Sequence, residues 1–310
     1  MGVHVELQPG GEAVVRVPVA TLWTAPDAVR PVDRPALADP PDPAAWVAGL
    51  DTDQRVGDAV LSQLLLGERV LVTALRPDGW AHVVALGQPA KLDPRGYPGW
   101  LPAAQLAVPS AATGGPSTTP LVVDVFDTAL HTAPDGPVAL PGVALGTRLT
   151  AAGRPVDGWR PVRTPGDDAP RWVPDADVVT LPAERPEPKE ALAVADRLRD
   201  VPYLWGGLTG HGIDCSGLVH LAWRRFGVTL PRDADDQAEA TTPLALGEER
   251  PGDLYFFARP GRRIHHVGIV TGEPHGDQRR MLHACYRQRR VVEEALPADR
   301  VATLVGAHRV

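Results

Sequence analysis

Tyr203-Leu204-Trp205-Gly206-Gly207, followed by Gly212-Ile213-Asp214-Cys215-Ser216-Gly217-Leu218-Val219, is the run from which the fold of this 310-residue chain is read. Asp214 and Ser216 suit a helix start, and Leu218, Val219 and Ala222 then recur at helical spacing, so a helix is expected from Cys215 to about Phe226. Upstream, Ala191, Val194, Ala195 and Leu198 share one face of a helix between Glu190 and Arg199. Downstream of Asp253 the pattern changes to short strand-like runs: Leu254-Tyr255-Phe256-Phe257, His266-Val267-Gly268-Ile269-Val270 and Met281-Leu282-His283-Ala284-Cys285. Helices followed by an antiparallel sheet make this last segment an α+β unit.

The chemistry of the segment centres on Cys215. A cysteine at a helix start faces the positive end of the helix dipole and free backbone N–H groups, which favour a thiolate and provide an oxyanion hole. A nucleophilic thiol needs a base. Strand alternation puts His265 and His266 on opposite faces, so only one of them can meet Cys215. His266 is the candidate base and His265 a rim residue. A third polar group should orient the imidazole, and His283 on the next strand is placed for it. Cys285, two residues further on, reads as a buried small hydrophobe.

The first part of the chain is different. Leu22-Trp23-Thr24-Ala25-Pro26 matches Leu130-His131-Thr132-Ala133-Pro134, and Leu66-Gly67-Glu68-Arg69-Val70 matches Leu145-Gly146-Thr147-Arg148-Leu149. Asp78-Gly79-Trp80 matches Asp157-Gly158-Trp159, and Trp100-Leu101-Pro102 matches Trp172-Val173-Pro174. Four matches in the same order define an internal repeat. Each copy is rich in β-branched runs broken by Gly and Asp-Gly turns, as in a small all-β barrel. The recurring tryptophans are read as packing residues. The first copy carries an insertion, about residues 27–60 with Trp46 inside it, expected to cap the barrel or to touch the last segment. Pro109 to Pro120 and Pro182 to Pro188 read as linkers. The expected division is therefore 10–108, 120–182 and 187–310.

Composition narrows the classes. An apolar share of 44% supports real cores, and 31 Gly with 34 Pro favour short strands and turns. The net charge of −7 and the lack of a Lys/Arg tract argue against a nucleic-acid partner, and no apolar run is long enough to span a membrane. Met1-Gly2-Val3-His4-Val5-Glu6 lacks the pattern of a secretory signal, so a cytoplasmic monomer is expected, or a protein of the cell envelope if the true start lies upstream. Two cysteines make no disulfide framework and no C-x-x-C pair exists. His211 and Asp214 beside Cys215 do not amount to a ligand set, so neither metal nor other cofactor is expected.

Tyr203 to Gly207, Asp214 to Val219, Leu230-Pro231-Arg232-Asp233-Ala234-Asp235-Asp236-Gln237, Pro251 to Phe257, His265 to Val270 and Leu282-His283-Ala284 together resemble the NlpC family of papain-like cell-wall cysteine peptidases, in order and spacing. The resemblance puts the nucleophile on Cys215, the base on His266 and the third polar residue on His283. It puts Tyr203 beside the catalytic centre, Asp214 and Ser216 at substrate-binding positions, and Trp205 and Asp233 on the acyl side. The repeats resemble bacterial SH3-like domains. The implied fold is two all-β SH3-like barrels followed by an α+β papain-like domain, as in the YkfC-type γ-D-glutamyl-L-diamino acid endopeptidases. That subgroup cuts peptidoglycan stem peptides, L-Ala-γ-D-Glu-diamino acid, after D-Glu and holds their free N-terminal amine. Gly96-Tyr97-Pro98-Gly99-Trp100 matches the segment that reaches across, so Tyr97 joins the substrate-binding set, with Asp233 and Asp214 supplying negative charge. Ala234 stands where the subgroup often has Ser, which removes a side-chain hydrogen bond and leaves a backbone contact. Alternatives at this point are an endopeptidase of intact peptidoglycan, an acyltransferase with the same nucleophile, and an inactive wall-binding protein.

Overall fold

The computed structural model describes residues 6–109, 120–274 and 278–310. Most of the first expected linker, 110–119, lies outside the described residues. Of the second, Pro182 to Pro188, residues 182–187 carry neither helix nor strand and Pro188 opens a helix.

The repeat in sequence is a repeat in structure. Strands β1 (Glu12–Val15), β2 (Val19–Trp23), β3 (Val60–Leu65), β4 (Arg69–Leu75), β5 (Trp80–Ala85), β6 (Tyr97–Pro102) and β7 (Leu106–Ala107) form an antiparallel sheet in the order β3-β2-β6-β5-β4-β1-β7. Strands β8 (Pro120–Val123), β9 (Asp127–His131), β10 (Val138–Ala144), β11 (Arg148–Ala151), β12 (Trp159–Arg163), β13 (Arg171–Pro174) and β14 (Val178–Thr180) form a second, in the order β10-β9-β13-β12-β11-β8-β14, which is the same path. Registers coincide too. Trp23 faces Trp100 as His131 faces Trp172, and Trp80 faces Pro102 as Trp159 faces Pro174. Each sheet closes on its own apolar core, Leu22, Val72, Val83 and Leu101 in the first and Leu130, Leu149, Val162 and Val173 in the second.

The copies differ in two connections, and both differences bear on the last segment. Between β2 and β3 the first copy holds α1 (Arg34–Leu37) and α2 (Pro43–Gly49), where the second copy has a short turn. Asp42 caps α2 by accepting the Ala45 N–H at 2.9 Å, and the Trp46 indole N–H donates to buried Asp33 at 2.8 Å. Trp46 and Val47 then pack with Trp23 and Val60 of the sheet and with Leu204 of the last segment. The insertion thus both caps the sheet and meets the third segment. The loop between β5 and β6, residues 86–96, is likewise longer than its counterpart at 164–170.

The third segment packs α3 (Pro188–Asp196), α4 (Cys215–Arg224) and α5 (Ala234–Glu239) on a six-stranded antiparallel sheet. A small hairpin, β15 (Leu208–Thr209) and β16 (Gly212–Ile213), precedes α4. The sheet runs β17 (Thr242–Leu244), β22 (Leu304–Arg309), β18 (Leu254–Ala258), β19 (Ile264–Val270), β20 (Arg280–Cys285), β21 (Arg290–Ala295), with a short helix, Ala298–Val301, before its last strand in sequence. Every residue of α4 is buried. Such a helix must be surrounded on all sides. The sheet and α3 cover part of it, and the two repeated sheets cover the rest: Arg224 donates to the Gly146 carbonyl at 3.0 Å and pairs with Glu68 at 3.0 Å.

Candidate active site

Asp214 is the residue that starts α4. Its carboxylate accepts the Gly217 N–H at 2.6 Å, which caps the helix, and the Gly206 N–H at 2.8 Å, which ties the Tyr203–Gly207 turn to the helix start. Gly206 sits at φ +73°, and a Cβ there would come within 2.7 Å of Val60, so the turn needs glycine both for its backbone and for the approach of the first sheet. Buried Arg232 grips the same carboxylate with two nitrogens at 2.9 and 2.7 Å and donates to Ser216 Oγ at 3.0 Å and Ser62 Oγ at 2.9 Å. The side chains of Asp214 and Ser216 are therefore committed within the protein. The Asp214 charge expected to face a ligand is thus paired with Arg232. Arg232 is the only cation in the Leu230–Gln237 run, and that is the one sequence signal of its role.

Cys215 is the first residue of α4 and only 8% exposed. Burial, reinforced by the charge of Asp214, pushes its thiol up to about 12, against the opposing backbone N–H groups of Val267 and Ser216. From an ordinary thiol value that rise disfavours the thiolate by roughly 4 kcal/mol. A helix N-terminus returns only about 1 kcal/mol, so the dipole expected to create a resting thiolate loses to desolvation here. Burial also holds the His266 imidazole well below its ordinary value, helped by His283. Both shifts favour the uncharged forms of the thiol and the imidazole.

Strand β19 places His266 inside and leaves His265 exposed, as alternation requires. His266 Nε2 is 2.7 Å from His283 Nδ1, and the rings meet edge to face. His283 Nε2 in turn lies 3.1 Å from Glu294 Oε1. Glu294 is on β21, two residues past Val292, the cross-strand partner of His283, so it shares the face of His283. The second Glu294 oxygen accepts from Gln288 Nε2 at 2.6 Å. A carboxylate only accepts, which places the outer proton of His283 on Nε2. His283 Nδ1 then accepts from His266 Nε2–H, and His266 Nδ1 is left as a lone pair. Glu294 carries no local sequence signal. Only the register of β20 and β21 reveals it.

Tyr203 is buried, donates its N–H to the Arg289 carbonyl at 2.8 Å and packs edge-on against Tyr286. Burial raises its phenol well above the ordinary value. Trp205 is 45% exposed, with its N–H on the Arg55 carbonyl of the insertion. Asp233 stands at the N-cap position of α5 without a side-chain capping bond, and Ala234 is buried as the first helical residue. Tyr97 reaches this point from the first sheet: its hydroxyl donates to the two oxygens of Asp233 at 3.1 and 3.3 Å. The long 86–96 loop flanks the contact, the Pro89 carbonyl accepting the Arg232 N–H at 3.1 Å and Lys91 binding Asp236 and Glu239. Burial raises the Asp233 carboxyl above its ordinary value. Among the described residues no cationic side chain lies within ion-pair distance of Asp233.

The NlpC/P60 family model matches residues 200–303. A γ-D-glutamyl-L-lysine dipeptidyl-peptidase of Bacillus subtilis is 32% identical over 273 residues, covering 82% of this chain and 85% of that one. An enzyme of the same name from Bacillus cereus is 29% identical over 307 residues, covering 96% and 89%. The crystal structure of an NlpC/P60 family protein from Bacillus cereus superposes with a TM-score of 0.86 at 27% identity, over 96% of this chain and 99% of that one. The likeness thus extends through the strand-rich N-terminal region as well as the segment that holds the thiol and the two histidines, and the chain belongs to the NlpC/P60 family of cysteine peptidases.

Proposed function

We propose that the protein is a γ-D-glutamyl-L-diamino acid endopeptidase that acts on peptidoglycan stem peptides with a free N-terminal L-Ala. The observation that carries this reading is Asp233, a partly buried carboxylate held by Tyr97 from a different sheet, with no cationic side chain among the described residues within ion-pair distance. A carboxylate withdrawn from water gains from an opposite charge beside it. The ammonium of a short peptide supplies the missing charge, while an acylated amine supplies none. The relatives' name, dipeptidyl-peptidase, describes an enzyme that counts from a peptide's amino end, which agrees. The two repeated sheets are then SH3-like domains, 10–108 and 120–182, of which the first shapes the cleft of the catalytic domain at 187–310.

In the mechanism, the Cys215 thiol gives its proton to His266 Nδ1 as the sulfur attacks the γ-carbonyl carbon of D-Glu. Free N–H groups at the start of α4 hold the oxyanion, with Tyr203 beside them. His266 returns the proton to the departing amine of the diamino acid, leaving a thioester on Cys215. His266 then takes a proton from water, the hydroxide attacks the thioester, and L-Ala-γ-D-Glu leaves as the thiol is restored. While His266 is cationic, His283 and Glu294 disperse and balance its charge.

The test uses L-Ala-γ-D-Glu-L-Lys and its diaminopimelate analogue, each with free and acetylated amine. Cleavage of the free peptides is expected to be faster by about a hundredfold or more, with KM for them raised in Asp233→Asn and activity abolished in Cys215→Ala. Equal rates on free and acetylated peptides would sink the amine reading.

A further inference from the structure

We propose that His283, Cys285 and Glu294 form a binding site for a soft divalent cation of the zinc class, and that its occupation switches the peptidase off. Strand alternation puts His283 and Cys285 on the same face of β20, and Glu294 comes from the neighbouring strand. One ligand atom from each, an imidazole nitrogen, a sulfur and a carboxylate oxygen, lies within 4.8 Å of the other two. Tetrahedral zinc, at about 2.0 Å from N or O and 2.3 Å from S, needs ligand atoms about 3.3–3.7 Å apart. His283 Nε2 and Glu294 Oε1 already stand 3.1 Å apart, and small side-chain rotations bring in the sulfur. His283 and Cys285 form the buried wall, while partly exposed Glu294 leaves a way in. The mixture of N, S and O donors favours zinc-class ions over magnesium or calcium. Gln288 supplies the outer support such sites require, its side chain on Glu294 at 2.6 Å and its backbone N–H on Cys285 Sγ at 3.5 Å. Sequence spacing alone offers no such set, because the third ligand belongs to the next strand.

The inhibitory half rests on the mechanism proposed above and follows from proton positions. A cation on His283 Nε2 displaces the proton that Glu294 holds there, and the neutral ring then carries its proton on Nδ1. That nitrogen now donates to His266 Nε2, so the proton of His266 moves to its Nδ1. The atom that should accept the Cys215 proton is blocked. Binding also releases the Cys285 thiol proton to solvent, so charge and protons balance.

The chain has two cysteines, Cys215 and Cys285, which makes the site separable from the catalytic pair. In full-length Cys215→Ala, any cobalt–thiolate absorption must come from Cys285. Titration with Co2+ is expected to give a near-ultraviolet sulfur-to-cobalt band that saturates at one equivalent and is displaced by Zn2+. Glu294→Ala, altered at the partly exposed rim, should weaken Co2+ binding about tenfold or more. Absence of the band in Cys215→Ala overturns the site. In a parallel assay, saturating Zn2+ should lower wild-type activity about a hundredfold, the loss expected on blocking a general base, whereas Cys285→Ala keeps its basal activity and escapes. Equal zinc inhibition of Cys285→Ala would place the metal on Cys215 and overturn the switch. The cobalt spectrum does not depend on turnover, so a failure of the proposed peptidase reading is distinguishable from a failure of the site.

Discussion

At the scale of single residues, Cys215 illustrates how burial overrules a local signal. The helix start and the flanking Asp214 and Ser216 were legible in the sequence, but the thiol's own acidity was not. It depends on how completely Tyr203 and β19 enclose the sulfur, and no spacing reports that. Because the thiol is pushed up to about 12 and His266 is held neutral, alkylation of Cys215 by iodoacetamide should rise about tenfold per pH unit between pH 6 and 9. A plateau across that range would instead indicate a preformed thiolate–imidazolium pair. His283 was legible from strand alternation, whereas Glu294 was not, since it depends on the pairing of β20 with β21. Its removal tests the tautomer argument. Glu294→Ala should lower kcat by about 10- to 100-fold while KM stays within about twofold. Glu294→Gln, whose amide oxygen still accepts the His283 Nε2–H, should recover much of the loss. Unchanged kcat in Glu294→Ala would show that the His266–His283 pair needs no outer acceptor.

Elements carry a second layer of information. The helix α4 was expected over Cys215 to Phe226, and its regular part ends at Arg224, where Gly227 at φ +83° terminates it and the Val228 N–H bonds back to the Trp223 carbonyl. The strands of the last sheet lie where the apolar runs put them. The insertion is the element whose role periodicity did not reveal. Its two helices are of only 4 and 7 residues, too short to persist alone. They are held instead by Trp46, which seals Trp23 and Leu204 and donates to the Arg30–Asp33 ion pair. Trp46→Ala should therefore cost about 3–5 kcal/mol in a denaturant titration and leave Asp33 short of a donor. Because Leu204 precedes Trp205 on the cleft rim, the same variant should also raise KM. A stability loss below about 1 kcal/mol would mean that the insertion is held elsewhere.

At the scale of the whole molecule, the repeat in sequence foretold two equivalent sheets but not why only the first one reaches the cleft. The reason lies in the two long connections, 24–59 and 86–96, which the second copy lacks, and in a polar seam that no local pattern exposes. Along it Gln63 Oε1 accepts the Leu208 N–H at 2.8 Å, Arg232 reaches Ser62, and Arg224 joins Glu68 of the first sheet to the Gly146 carbonyl of the second. Arg224 thus stands where all three parts of the chain meet, and its ion pair is almost wholly buried, with side-chain exposures of 7% and 4%. Breaking a buried pair from one side leaves an uncompensated charge, which costs about 3–5 kcal/mol, whereas replacing both partners by apolar groups is often nearly neutral. If the seam couples the three parts, Arg224→Met should lower the melting temperature and split a single calorimetric transition into two. The double variant Arg224→Met with Glu68→Leu should restore most of the loss, because it removes the stranded carboxylate rather than the contact alone. Peptidase activity should fall with the first transition, since the Tyr97–Asp233 contact depends on the same docking. A single, unshifted transition in Arg224→Met would mean that the apolar cluster around Trp46 and Leu204 holds the first sheet in place without the seam.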